Sequence, residues 1–296
     1  MLIVDLKERG LISPPSFLPT NTHYLVQMGS VAYGCSGGSS DMDLYGWCIP
    51  PKEYLFPHLA GHIRGFGREP QDFTCWQQHH VDDKQHDKQY DFAVYGVARF
   101  VDLVMQNNPN MLDSLFVPTR CVIHSTSLSE IFRENRKLFL HKGCFHKFRG
   151  YAYQQIHKMS IKQPKEGSKR HANVQEFGFD VKFAYHVVRL MLECEQILSE
   201  GDLELDRNSE ILKSIRRGEW TEERIKEYFS EKEKSLDVLY NESKLPYGPD
   251  EEKIKGLLLN VLEQHYGSLS SMVSSVDVDR KTLMEIRDVL SRNGIH

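Results

Sequence analysis

The sequence predicts an α/β (α+β) N-terminal part built on a small mixed sheet, followed by an all-helical C-terminal part, with the boundary near residue 125. Three observations predict it. Short β-type runs at 23–28, 41–49 and 90–95 are separated by turn-rich stretches. Helical spacing of apolar residues first appears at Val97, Phe100, Val101 and Val104. Beyond about Ser125, every patterned segment has helical spacing.

Taken in order, residues 1–20 form a short helix or extended piece ending in the turn-rich Ser13-Pro14-Pro15-Ser16. Residues 23–28, H-Y-L-V-Q-M, read as a strand, followed directly by Gly29 and Ser30. Residues 31–38 read as a short helical turn, and Gly37-Gly38-Ser39-Ser40 separates it from the next strand. That strand carries Asp41 and Asp43 and stops at Pro50-Pro51. Residues 52–70 are loop-like, 73–77 are strand-like, and the polar 77–89 reads as a solvated loop. In Y-D-F-A-V-Y at 90–95, Tyr90, Phe92 and Val94 share one face and Asp91 takes the other. The helix over 96–106 is broken by N-N-P-N, and a short second helix ends near Pro118. Further helices are expected at 127–139, 145–158, 172–199, 208–217, 221–240, 251–266 and 279–290. The expected domains are 1–125 and 126–296.

The 296 residues suffice for two cores, and 40% hydrophobic with 26% charged is an ordinary globular balance. No apolar run reaches eighteen residues, so no membrane span is expected. The first ten residues carry acids and no leader pattern, so a cytoplasmic protein is expected. The six cysteines form no C-x-x-C pair, which argues against a zinc knuckle or dithiol motif and for free thiols. The net charge of -4 is unevenly spread. Residues 133–170 hold eleven Lys/Arg against two acids, and residues 200–253 hold sixteen acids against ten Lys/Arg. The local field therefore suits a polyanionic partner in spite of the overall sign.

The chemistry concentrates in Met28 to Pro50. Asp41 and Asp43 lie two apart on a strand, so both carboxylates face the same way. Like charges so placed repel unless water or a divalent cation separates them. As hard oxygen donors they suit Mg²⁺. Gly29 and Ser30 allow close backbone approach and offer amides and a hydroxyl to phosphate oxygens. A third carboxylate on a neighbouring strand would complete a two-metal site, and Asp91 is the best placed. Asp102 and Asp113 are its rivals, but both fall in helical segments. Lys182, His186 and Arg189 recur at three- and four-residue spacing and so share a helical face able to present basic groups to phosphates, with Arg149 as a further candidate. His79, His80, Asp82, Asp83, His86 and Asp87 are better read as part of the loop, or as a lid, than as a zinc set.

The run G-S-V-A-Y-G…S-D-M-D-L-Y-G resembles the G-S…D-x-D signature of the DNA polymerase beta-like nucleotidyltransferase superfamily. More narrowly, the chain resembles the predicted nucleotidyltransferases associated with bacterial RNA-repair operons and phages. That likeness continues through Y-D-F-A-V-Y-G-V-A-R-F, Q-N-N-P-N-M-L-D-S-L-F, F-R-G-Y-A, F-D-V-K-F-A-Y-H-V-V-R-L, L-x-x-I-R-R-G-E-W and S-K-L-P. The resemblance implies transfer of NMP from an NTP, with ATP the expected donor, and release of pyrophosphate. It implies two Mg²⁺ or Mn²⁺ ions on Asp41, Asp43 and Asp91, and donor phosphates on Gly29 and Ser30. Asp113 stands where the family pattern often has glutamate. The expected acceptor is a nucleic acid, such as an RNA end, held through the basic segment 133–170. The alternatives are AMP transfer to a protein or small molecule, and a non-catalytic nucleotide- or RNA-binding module.

Overall fold

The computed structural model describes residues 1–36, 42–63, 65–67, 72–161, 166, 169–269, 286, 287, 289 and 290. The N-terminal region contains α1 (Leu2–Glu8), α2 (Leu18–Asn21), β1 (Thr22–Gln27), β2 (Met42–Cys48), α3 (Lys52–Leu55), β3 (Cys75–Asp83) and β4 (Lys88–Gly96). It continues with α4 (Val97–Met105), α5 (Pro109–Phe116) and β5 (Val122–Ser125). The helices that follow are α6 (Ser127–Glu134), α7 (Cys144–Ile161), α8 (Lys169–Phe177), α9 (Val181–Glu200), α10 (Ser209–Arg216), α11 (Glu222–Glu242) and α12 (Glu251–Tyr266).

The five strands form one mixed sheet in the order β3-β4-β2-β1-β5. β1 pairs antiparallel with β2 and β5, β3 pairs antiparallel with β4, and β2 lies parallel to β4. Alternation sends Leu44, Phe92 and Val94 into a small cluster with Ile3 and Leu6 of α1. The other face carries Tyr24, Val26 and Trp47 into the main core. That core runs without interruption through α4 and α5 into α7, α9, α10, α11 and α12. α9 is its axis: it buries fifteen residues and packs on α7, α10 and α11.

Three sequence expectations are corrected. Residues 77–89 are not a loop, because β3 runs on to Asp83 and a turn at 84–87 returns the chain into β4. β3 is an edge strand with most of its residues at least partly exposed, so it needs no strict apolar alternation, and its polar sequence hid it. The helix expected over 172–199 is two helices. Gly178, at φ +82°, ends α8, and the Asp180 carboxylate caps α9 by accepting from Lys182 N at 3.0 Å. β5, the opposite edge, is four residues long and falls where no strand was expected. Of the expected helix 279–290, only 286, 287, 289 and 290 are described, and these are helical.

Candidate active site

β1 ends at Gln27, and the chain then turns through a 3-10 segment, Gly29–Val31. Met28 N donates to Asp43 O at 2.7 Å, which ties the start of this turn to β2. Gly29 sits at φ +72°, a conformation that β-carbon sterics disfavour. A Cβ there would also collide with Asp43 Oδ2. Glycine thus suits the left-handed turn, and a side chain there would make the Asp43 carboxylate shift.

Asp43 and Asp91 are register partners on the parallel strands β2 and β4. Adjacent strands lie about 4.8 Å apart, so the two carboxylates leave neighbouring points on the same face. It is the face of the main core: Trp47 follows Asp43 at alternate positions into that core, and Tyr45 packs against it. Asp43 is the second residue of β2 and Asp91 the fourth of β4, and both are part-exposed. Their charges reach Tyr45, whose phenol is pushed up to about 12, chiefly by burial and then by Asp43.

Asp91 has partners that the sequence did not reveal. β3 carries a bulge between Gln78 and Val81, and His80 takes φ +55° within it. The bulge lets His80 N donate to Asp91 Oδ1 at 2.7 Å. It also brings His79 Nδ1 to 3.6 Å and His80 Nδ1 to 4.0 Å from the same oxygen. Both rings are more than half exposed. The legible signal was the pattern of two strands around a polar turn, W-Q-Q-H-H-V then D-D-K-Q-H-D-K.

The remaining expected site residues fall in different settings. Asp41 lies outside the described residues. Ser30 stays in the turn, part-exposed. Lys182 and Arg189 share α9, but Lys182 is exposed and Arg189 only 4% exposed. Arg189 Nη1 donates to Asp113 Oδ2 at 2.6 Å and to the Tyr33 hydroxyl, with Glu193 Oε1 at 3.5 Å. Its guanidinium lies 4.3 Å from the centre of the Tyr33 ring, and Tyr33 donates to Asp113 Oδ2 at 2.7 Å. Arg189 therefore meets the turn through Tyr33 and presents no open face to a phosphate. Burial pushes the Asp113 and Glu193 carboxyls up, and the Arg189 guanidinium beside them opposes that shift in both. Arg149, on α7, packs over Phe145 at 4.9 Å and lies 3.6 Å from Glu233 Oε1.

Two part-exposed carboxylates on adjacent strands, beside a glycine turn, suit a hard divalent cation. Among the described residues no group of three or more His, Cys, Asp or Glu is arranged to hold a metal. Among the same residues, no helix is long and apolar enough to cross a membrane.

The model of the RNA repair pathway DNA polymerase beta family matches residues 16–242, and the chain belongs to that family. No curated protein matches the sequence. A solved structure, a nucleotidyltransferase-like protein from Exiguobacterium sibiricum 255-15, aligns over 98% of this chain and 90% of its own. It does so at 11% identity and a TM-score of 0.28, a likeness too slight to bear on the argument.

Proposed function

We propose that this member of the RNA repair pathway DNA polymerase beta family, a polymerase beta-like nucleotidyltransferase, transfers NMP from an NTP, with ATP the preferred donor, to a hydroxyl at the end of an RNA. The observation that carries the reading is the register pairing of Asp43 with Asp91 beside the Gly29 turn. Asp43, Asp91 and Asp41 would hold two divalent cations, Mg²⁺ or Mn²⁺. When bound, these lower the pKa of the attacking hydroxyl and neutralise charge on the leaving pyrophosphate. Asp91 Oδ1 is held by His80 N, so its other oxygen receives the acceptor proton. The Gly29–Ser30 turn takes the donor phosphates, and Lys182 and Arg149 supply further cationic contacts. Pyrophosphate leaves as the phosphodiester bond forms.

The division into a catalytic part, 1–125, and a helical part, 126–296, belongs to the same proposal, with the helical part taking the acceptor. α7 supports it. No residue from Cys144 to Ile161 is acidic, and its exposed positions include His146, Lys147, Tyr153, His157 and Lys158. Cations with an exposed ring suit a flexible single strand, which offers phosphates and base faces together.

Incubation with α-labelled ATP and separate RNA, protein and metabolite pools tests the reading. Label on RNA with stoichiometric pyrophosphate release is the expected result. Label on protein or metabolite would replace the acceptor, and NTP binding without pyrophosphate release would leave a binding module. RNA binding should weaken as salt rises. A salt-insensitive affinity would remove α7 from the acceptor site.

A further inference from the structure

The motif L-x-x-I-R-R-G-E-W at 212–220 lies far in sequence from the acids, yet the fold brings it to the donor turn. Leu212 and Ile215 are buried and anchor α10. Trp220 Nε1 donates to Ser214 Oγ at 3.0 Å, and Arg217 turns outward to Glu219. Arg216, itself exposed, reaches the other way and donates from Nη1 to Cys35 O at 2.6 Å. Cys35 closes the turn that begins at Gly29, since Cys35 N donates to Ser30 O at 2.7 Å.

Two further arginines hold the same short segment. Arg120 Nη2 lies 3.5 Å from Val31 O and 2.7 Å from Asp206 Oδ2. Arg189 holds the Tyr33 hydroxyl, as described above. Gly34, at φ +66°, lies against Asp206 and Ser209, where an added Cβ would come within 3.1 Å of Ser209 Cβ. Three separate elements thus grip residues 31, 33 and 35, while Gly29 at the other end touches the Asp43 carboxylate. Ala32, Tyr33 and Cys35 of the turn are buried in the main core, and Val31 packs against it. Met28 N ties its near end to Asp43 O, and the arginines hold its far end.

We propose that Arg216 is a positioning residue for the donor site. From the helical region it holds the Cys35 end of the turn, and so sets the distance between Gly29–Ser30 and Asp43. This rests on the donor reading given under Proposed function. A bond from a guanidinium to a carbonyl is charge-assisted, stronger and shorter than a neutral one. Displacing a site by about 1 Å is enough to cost on the order of a hundredfold in activity.

The test compares Arg216→Ala, Arg216→Lys and, as a neighbouring exposed control, Arg217→Ala, all in the full chain. Hydrogen exchange reports the clamp directly. Arg216→Ala should speed exchange of the amides in 29–36 by about tenfold, with β2 and β4 unchanged. Calorimetric titration with Mg²⁺-ATP reports its consequence. Arg216→Ala should bind about tenfold more weakly, Arg216→Lys should recover most of the affinity, and Arg217→Ala should match the parent. Unchanged exchange in 29–36 overturns the clamp, whatever happens to nucleotide. Changed exchange with unchanged affinity overturns the positioning role. A parent that binds no Mg²⁺-ATP defeats the donor reading, and the positioning role falls with it, whereas the exchange result still decides the clamp.

Discussion

Two acid clusters flank the same turn and are built to opposite rules. The inner one, Asp113 and Glu193 against Arg189 and Tyr33, is enclosed and pairs Arg189 with Asp113, while Asp113 Oδ1, Arg189 Nε and Glu193 Oε2 find no hydrogen-bond partner among the described residues. The outer one, Asp43 and Asp91, is part-exposed on adjacent strands. Among the described residues, the ion pairs Asp91 makes are with His79 and His80, whose rings face solvent. A buried carboxylate must be paired or protonated, because an isolated buried charge is too costly. A part-exposed pair can keep its repulsion and offer it to a cation. The comparison teaches that the inner cluster serves the fold, whereas the outer one keeps the exposure that the proposed cation site needs. Asp113 stands in a stretch that resembles the family pattern, and its burial assigns it to the first group.

The largest effect should come from the outer pair. Asp43→Asn or Asp91→Asn should cut pyrophosphate release on the order of 10³-fold, since each carboxylate would steady a cation that stabilises several kcal/mol of developing charge. The melting temperature should change little, because both residues are part-exposed and asparagine keeps the side-chain volume. A large fall in melting temperature would place these acids with the inner cluster.

The inner pair should behave in reverse. Arg189→Ala leaves Asp113 buried without its partner and should cost about 3–5 kcal/mol in urea unfolding. Arg189→Met combined with Asp113→Leu should cost much less than the sum of the single changes. Additive losses would mean that the pair is not coupled.

Gly29→Ala joins the two clusters' effects. It forces a β-carbon into a left-handed turn, at about 1–2 kcal/mol, and pushes on Asp43. Turnover should drop more than stability does, which paired melting and transfer assays would reveal.

The smallest effect lies apart from both. His23 Nε2 meets His265 Nδ1 at 3.2 Å where α12 covers the sheet. Burial, then the neighbouring histidines, pushes the His23 imidazole down to about 4. The unfolded chain therefore binds the extra proton between about pH 6.5 and 4, and folding weakens as pH falls through that window. Glu193 carries the opposite sign. Its raised pKa favours the fold at low pH and costs stability as pH rises. His23→Gln should flatten the acid side of the melting-temperature profile, and Glu193→Gln should leave that side standing.

The legible part of this protein was whatever one or two turns of chain could encode. Alternation in Y-D-F-A-V-Y put Asp91 opposite the apolar residues, and the apolar spacing from Val97 opened α4. Both are local periods of the backbone, so composition along a short window suffices. β5 and the later part of β3 escaped because an edge needs few apolar residues. The His80 bulge escaped because an extra residue has no signature until its partner strand is known.

By itself the sequence determined β1, β2, β4 and most of the helices, the glycine at the turn and the acids near it. Only the tertiary structure decided that β2 lies parallel beside β4, bringing Asp43 next to Asp91. It alone sent Arg189 inward to Tyr33 across 156 residues and Arg216 to Cys35 across 181. The physical reason is that periodicity assigns a residue to a face, but whether that face meets solvent, a strand or a carbonyl depends on which distant segment covers it. Lys182 and Arg189 occupy one helix at seven-residue spacing, and packing against the turn made one a surface cation and the other half of a buried pair.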